Sequence, residues 1–249
     1  MKGVILAGGG GTRLHPLTKI TNKHLLPLYN RPVIFHAVEK LVEAGIDKIM
    51  IVASPGYLDD FVSVLGSGKE LTSKRTGKQV QIVYGIQNEP RGIAEGLWIA
   101  KDFIGGDSVI LHLGDNIIED DIAEHVANFK SGAKIFLKSV PDAHRFGVAT
   151  LDGQNRVIEI IEKPKEPKTD LAVVGLYIYD NSVFEKMDGM PLSGRGEYEI
   201  TWVNNKYVEH GTLEAGRING AWFDVGTFDS LLAASLYMKK KYDSQQVGQ

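Results

Sequence analysis

The chain has 249 residues, with 28 Lys and Arg against 31 Asp and Glu, a net charge of −3 and no cysteine. That composition excludes disulfides, thiolate catalysis and Cys-bound zinc, and its charge has the wrong sign for a general nucleic-acid binder. No apolar run approaches the ~20 residues that a bilayer-spanning helix needs, and no signal peptide is visible before the first strand, so a cytoplasmic chain without a membrane partner is expected.

The first half alternates strand and helix patterns. Lys2 to Ala7 reads as a strand. Pro32 to Ala44 reads as a helix: Pro32 suits a first turn, Ile34, Val38, Leu41 and Val42 share a face, and Gly45 closes it. Lys48 to Ala53, Gln79 to Tyr84, Ser108 to Leu113 and Lys134 to Val140 read as strands. Leu58 to Leu65, Ile93 to Phe103 and Asp121 to Lys130 read as helices between them. Such alternation predicts an α/β fold, a mostly parallel sheet with helices on both faces, and a ligand at the carboxyl ends of the strands.

The second half changes character. Phe146 to Thr150, Arg156 to Glu162 and Ala172 to Tyr179 read as strands, with Leu151 to Asn155 as a hairpin turn and Lys163 to Asp170 as a loop. Glu199 to Glu209 reads as a helix, and Leu213 to Ile218 and Ala221 to Asp224 as short strands. A last helix is expected from Phe228 to Tyr237, with Leu231, Leu232 and Leu236 on its face and Lys239-Lys240-Lys241 as a solvated end. No linker or repeat interrupts the chain. One domain over 1–249 is therefore expected, with a nucleotide-binding half to about residue 140 and a second half from about 141.

The first strand runs into Leu6-Ala7-Gly8-Gly9-Gly10-Gly11-Thr12-Arg13-Leu14-His15-Pro16. A glycine run alone is equally a flexible surface loop. Directly after a strand, it leaves backbone N–H groups open to a phosphate chain. Arg13 adds a permanent charge able to grip phosphate with two donors, and Lys23 adds a second cation ten residues on. The dinucleotide fingerprint fails, because Pro16 argues against a regular helix starting at Thr12, and the P-loop Gly-Lys-Ser/Thr is absent.

Other candidates have two readings each. Asp115 and Asp224 end apolar stretches, either as turn-capping carboxylates or as Mg²⁺ ligands, since that ion takes one or two carboxylates with phosphate and water. Gln87 is an ordinary loop residue or a reader of a base edge, its amide offering both donor and acceptor. Glu162-Lys163 is a surface charge pair, or a holder of sugar hydroxyls beside a holder of phosphate.

An N-terminal signature and six ordered motifs after it resolve these pairs. The Gly8–Pro16 loop with Asn22-Lys23-His24-Leu25-Leu26-Pro27 resembles the signature of the sugar-phosphate nucleotidylyltransferase family. The resemblance continues through Leu113-Gly114-Asp115-Asn116, Arg145-Phe146-Gly147-Val148, Glu162-Lys163-Pro164, Gly175-Leu176-Tyr177, Arg195 to Thr201 and Trp222 to Thr227. It is strongest to the branch that transfers thymidylyl groups from dTTP to glucose 1-phosphate. It implies a Rossmann-like sheet of the nucleotide-diphospho-sugar transferase type, a homo-oligomer and a Mg²⁺ cofactor held by Asp115 and Asp224. Nucleotide contacts would come from Leu6, Gly8, Gly9, Gly10, Gly11, Thr12, Arg13, Gln87, Pro90, Gly92 and Asp115. Sugar contacts would come from Asn116, Gly147, Glu162, Lys163, Val173, Tyr177 and Arg195, with Arg13, Lys23 and Lys163 as the catalytic cations.

Two positions depart from the family pattern: His24 stands where Gln is usual and Trp202 where Asp is usual. Longer members carry a C-terminal helical region that helps form a regulatory nucleotide site between subunits. Residues 228–249 supply one helix and a polar tail, so the expectation is a short form without that second site. Uridylyl or guanylyl transfer, a non-catalytic nucleotide-sugar sensor and a nicotinamide oxidoreductase are the competing readings. Retention of Arg13, Lys23 and the acid pair weighs against the sensor, and the Thr-Arg-Leu-His-Pro continuation weighs against the oxidoreductase.

Overall fold

The computed structural model describes residues 1–247. Its strands are β1 (Lys2–Ala7), β2 (Pro27–Leu28), β3 (Arg31–Pro32), β4 (Lys48–Ala53), β5 (Gln81–Ile86), β6 (Val109–Leu113), β7 (Asn116–Ile118), β8 (Ala133–Ser139), β9 (Gly147–Leu151), β10 (Val157–Glu162), β11 (Leu171–Tyr179), β12 (Leu213–Arg217) and β13 (Trp222–Asp224). The helices are α1 (Val33–Glu43), α2 (Leu58–Leu65), α3 (Ile93–Ile99), α4 (Lys101–Ile104), α5 (Ala123–Asn128), α6 (Val183–Lys186), α7 (Ile200–Glu209) and α8 (Phe228–Val247).

A nine-stranded sheet organises the chain in the order β10-β9-β11-β6-β1-β4-β5, with β8 paired to both β11 and β12. The ladders joining β6, β1, β4 and β5 are parallel. Strands β1, β4 and β6 are covered on both faces, which is why they read as apolar runs, whereas the edge strand β5 leaves Val83 and Ile86 exposed. One face packs Val4, Leu6 and Val52 with Leu97 of α3 and Val203 of α7. The other packs Ile5, Ile49 and Ile51 with Ile34, Val38 and Leu41 of α1 and Phe61 of α2. Each such side chain contributes roughly 1.5–3 kcal/mol by burial. Antiparallel pairing begins at β11, which meets β6 with its second half and touches β9 at Ala172.

Element type follows the sequence pattern closely, and the differences have local causes. The segment from Ile93 divides into α3 and α4 at Ala100, and Gly105 ends it with φ 59°. The short ribbons β2–β3 and β7–β13 lack the length for a period-two signal. The last helix reaches Val247, ten residues past Tyr237. It packs buried Ala234 and half-buried Leu231 and Met238 against Leu28, Val33, Ile117 and Val225, whereas Leu232 and Leu236 are exposed. Lys239-Lys240-Lys241 is consequently mid-helix, with Lys239 paired to Asp243 (2.5 Å) and Lys241 to Glu119 (2.6 Å). No helix among the described residues is long and apolar enough to cross a membrane.

Candidate active site

The site lies at the carboxyl ends of β1 and β6. Leu6 pairs with Leu113, and the next amide, that of Gly114, donates to the Leu6 carbonyl (2.9 Å). The glycine loop and Asp115 therefore leave the sheet side by side. Within the loop, Gly9 (φ 97°) and Gly11 (φ 56°) need the left-handed region. At Gly8 the absent side chain leaves room for Gln87, since a Cβ there would lie 2.9 Å from Gln87 Oε1. Thr12–Leu14 forms only a single tight turn, as Pro16 demands. Among the described residues, the amides of Gly9, Gly10, Gly11 and Thr12 donate to no protein acceptor. They are available to an anion.

Two cavities open here. The first, of about 240 Å³, is lined by Leu6, Gly8, Gly9, Lys23, Gln87, Pro90, Gly92 and Asp115 among others. The second, of about 320 Å³, is lined by Arg13, Asn116, Gly147, Glu162, Lys163, Val173, Tyr177 and Asp224 among others. Ile93 and Leu113 belong to both walls. Asp115 faces the first cavity and Asp224 the second. They are joined through β13–β7 pairing, where Asp224 sits opposite Asn116, and by the Val225 amide on the Asp115 carbonyl (2.9 Å).

The electrostatics of the two acids differ. Burial alone would raise the Asp115 carboxyl, but the Lys23 ammonium at 2.5 Å and the Asn116 amide at 3.0 Å hold it well below the usual carboxylate range. Asp224 is pushed up, first by burial and then by the charge of Asp115, against the opposing fields of Lys23, Arg13 and Arg145. Its Oδ1 is buried without a hydrogen-bond partner. A hard cation would relieve both the orphaned oxygen and the repulsion. The set of two carboxylates, with no further His, Cys, Asp or Glu in a metal-holding cluster among the described residues, suits Mg²⁺ completed by phosphate and water.

Asn116 fixes the floor of the second cavity. Strand β11 loses register with β8 between Val173 and Tyr177, and the Gly175 amide within that irregularity donates to Asn116 Oδ1 (3.0 Å). The same oxygen accepts from Trp222 Nε1 (2.7 Å). Glu162 Oε2 accepts from the Thr201 hydroxyl (2.6 Å), which leaves Oε1 facing Lys163 (3.8 Å) and Arg195 (3.3 Å). Lys163 holds φ 45°, a costly conformation for a non-glycine residue, and its amide is anchored on the Phe146 carbonyl (2.9 Å). Tyr177 is a neutral phenol, its pKa raised by burial and then by Glu162.

Not every expected residue lines a cavity. Gly10, Gly11 and Thr12 shape the loop from outside both, and Arg195 stands exposed at the rim among Glu199 (2.8 Å), Glu197 (3.3 Å) and Glu162. The sequence reading passed over four polar residues that line the second cavity: Arg145, Thr201, Asn204 and Trp222. Three of them stand inside quoted motifs, and Asn204 lies one helical turn after Thr201. Arg145 Nη2 and Asn204 Nδ2 are buried without partners, the mark of donors that await a ligand. Of the two departures, His24 lines the first cavity, its Nδ1 on Asn22 Oδ1 (2.6 Å) and its pKa lowered to about 3 by burial and then by Lys23. Trp202 packs against the core under Lys206.

A nucleotidyl transferase family model matches residues 2–241. The chain is 41% identical over 244 residues to the glucose-1-phosphate thymidylyltransferase of Mycolicibacterium smegmatis, covering 96% of this chain and 82% of that one. It is 38% identical over 253 residues to the enzyme of that name from Neisseria meningitidis, covering 99% and 85%. A Bacillus anthracis crystal structure described as a candidate glucose-1-phosphate thymidylyltransferase in complex with sucrose matches with a TM-score of 0.87 and 47% identity, over 95% of this chain and 94% of that one. UDP-glucose pyrophosphorylase complexed with UDP-glucose matches with a TM-score of 0.82 at 23% identity, covering 96% and 98%, and shows the fold alone. With a family model over nearly the whole length, and relatives at these identities, the chain belongs to the nucleotidyl transferase family and is a nucleotidyltransferase.

Proposed function

We propose that this enzyme transfers a thymidylyl group from dTTP to glucose 1-phosphate, giving dTDP-glucose and pyrophosphate. The observation that carries this reading is the pair of cavities sharing Ile93 and Leu113, with Asp115 on one side and Asp224 on the other. The names of the relatives supply the substrates. A sugar-phosphate oxygen attacks the α-phosphorus of dTTP, and the bond from that phosphorus to the leaving pyrophosphate breaks. The attacking phosphate is already ionised at neutral pH, so no strong general base is needed. The protein's task is to bring two anions together and align them.

Each residue has a part in that task. The loop amides, Arg13 and Lys23 receive the triphosphate. Gln87 reads the base against Pro90 and Gly92. Lys163 holds the sugar phosphate, Glu162 and Asn116 the sugar hydroxyls, and Gly147, Val173 and Tyr177 shape the pocket, with Arg195 orienting Glu162 from the rim. Mg²⁺, held by Asp115 and Asp224, would neutralise charge on the α-phosphate. We further read residues 1–249 as one nucleotidyltransferase domain of two halves, in a cytoplasmic homo-oligomer.

A matrix of nucleoside triphosphates against sugar 1-phosphates, followed by pyrophosphate release, tests the reading. The highest kcat/KM is expected for dTTP with glucose 1-phosphate. UTP should follow closely, because one methyl is worth only ~1 kcal/mol. A best rate with GTP or CTP refutes the role given to Gln87.

A further inference from the structure

The Gln87 amide is not free to choose its orientation. Its Nε2 donates to Glu95 Oε2 (2.9 Å) and to the Gly92 carbonyl (3.2 Å). Both N–H bonds of that nitrogen are thereby used. Flipped, the amide would set its oxygen against a carboxylate and a carbonyl, which are acceptors only. Glu95 is itself held by Arg91, whose Nε (2.8 Å) and Nη2 (2.7 Å) converge on the other oxygen, Oε1. An ion-paired carboxylate cannot donate, so it selects the amide edge that can. What remains is Gln87 Oε1, which lies over Gly8 in the first cavity. Glu95 does not line that cavity; it faces a separate groove with Arg91, Trp98 and Tyr198.

Building on the function proposed above, we infer that Glu95, braced by Arg91, is a positioning residue for base selection that locks Gln87 as a pure acceptor. A locked acceptor matches the N3–H donor that thymine and uracil share. Cytosine presents a lone pair at N3 and meets that oxygen acceptor to acceptor. The selectivity against cytosine then resides in a residue that never touches the nucleotide.

Glu95→Gln is nearly isosteric and removes the enforced polarity, because its own amide can face Gln87 with either end. Steady-state kinetics with dTTP, UTP and dCTP should be measured on the wild type and on this variant. We expect the dTTP KM to rise and the dTTP-over-dCTP ratio of kcat/KM to fall, each by about tenfold, with kcat for dTTP nearly unchanged. Arg91→Ala, at an exposed position, should move the ratio in the same direction by a smaller factor. A ratio that stays at its wild-type value in Glu95→Gln overturns the inference and leaves the proposed function standing. So does an equal fall in kcat with all three nucleotides, which marks a merely structural role. A wild type without preference for dTTP or UTP over dCTP overturns both together.

Discussion

The two halves of the sheet build their binding surfaces from different material. On the side of β1, β4 and β5, a parallel strand ends in a loop whose offering is mostly backbone: open amides, glycines that clear space, and two cations. On the side of β9, β10 and β11, the cavity is made of side chains that converge from three strands, α7 and the β7–β13 ribbon. The difference follows from pairing. A parallel strand that ends beside its neighbour at a loop presents main-chain groups at one edge, where a triphosphate can lie along them. Antiparallel strands present alternating side chains across a face, which suits the scattered hydroxyls of a sugar. The acid pair belongs to neither half alone: Asp115 follows β6, and Asp224 ends β13.

That shared pair should give the largest effect. Asp115→Asn and Asp224→Asn each keep shape and remove charge, and each should lower kcat by at least ~10²-fold, the scale for losing one strong preorganised contact. Chelation of divalent metal should abolish turnover in the wild type. Near-normal turnover with intact metal dependence in both variants would sink the assignment. Asp115→Asn should also lower stability, because it strands the part-buried Lys23 ammonium, and breaking a buried ion pair costs about 3–5 kcal/mol. Asp224 has no such partner, so Asp224→Asn should leave the melting temperature unchanged or raised.

This asymmetry also explains what the sequence disclosed. The glycine loop is legible because its residues are consecutive and their constraint is local: Gly9 and Gly11 need positive φ, and Gly8 needs room. Strand and helix types in both halves are legible because apolar periodicity is local too. Asn204 and Thr201 were not legible as cavity residues, because α7 alone does not say which neighbour it faces; the packing on β10 decides that. Leu232 and Leu236 misled for the same reason, since three leucines suggest a buried face while Ala234 marks the real one. Trp222 stands in a short strand whose partner the sequence does not name, and only the pairing of β13 with β7 sets its indole on Asn116.

If the halves bind different substrates, their cations should separate in steady-state kinetics. Arg13→Gln should raise the KM for dTTP by some ten- to a hundredfold, while Lys163→Gln should do so for glucose 1-phosphate, each with a smaller change for the other substrate. Arg13, expected among the nucleotide contacts, lines the second cavity and not the first, so its separation will be the less complete of the two. Full crossover, with Lys163→Gln acting only on dTTP, would reverse the assignment of the halves.

Two glycines test the same division at smaller scale. Gly8→Ala would place a methyl 2.9 Å from Gln87 Oε1, so the dTTP KM should rise by about tenfold with little change in melting temperature. Gly175→Ala would place one 2.7 Å from Asn116 Cγ, displacing a side chain that holds the Gly175 amide and the Trp222 indole. That variant should lose ~1–3 kcal/mol of stability and raise the KM for the sugar phosphate. Identical effects of the two substitutions on both KM values would contradict a division between backbone-built and side-chain-built surfaces.

The smallest effect concerns how tightly the halves are joined. His112 sits on β6, opposite Ile5 of β1 and Leu176 of β11, on the strand where parallel pairing meets antiparallel. Its Nδ1 bonds the Leu113 carbonyl (2.8 Å) and its Nε2 is buried without a partner. Burial, with a lesser push from Lys40, lowers its pKa from 6.5 to about 4. Between those values the unfolded chain binds a proton that the native chain refuses. This contribution is therefore whole above pH 6.5 and is lost as pH falls toward 4, at up to ~1.4 kcal/mol per pH unit. Urea titrations at pH 7, 6 and 5 should show His112→Asn less stable than wild type at pH 7 but less sensitive to acid, the two curves converging as pH falls. Because His112 belongs to the strand that both halves share, fluorescence of Trp98 and of Trp202 and Trp222 should report a single midpoint at each pH. Midpoints that separate as the pH is lowered would mean that protonating the junction releases one half from the other.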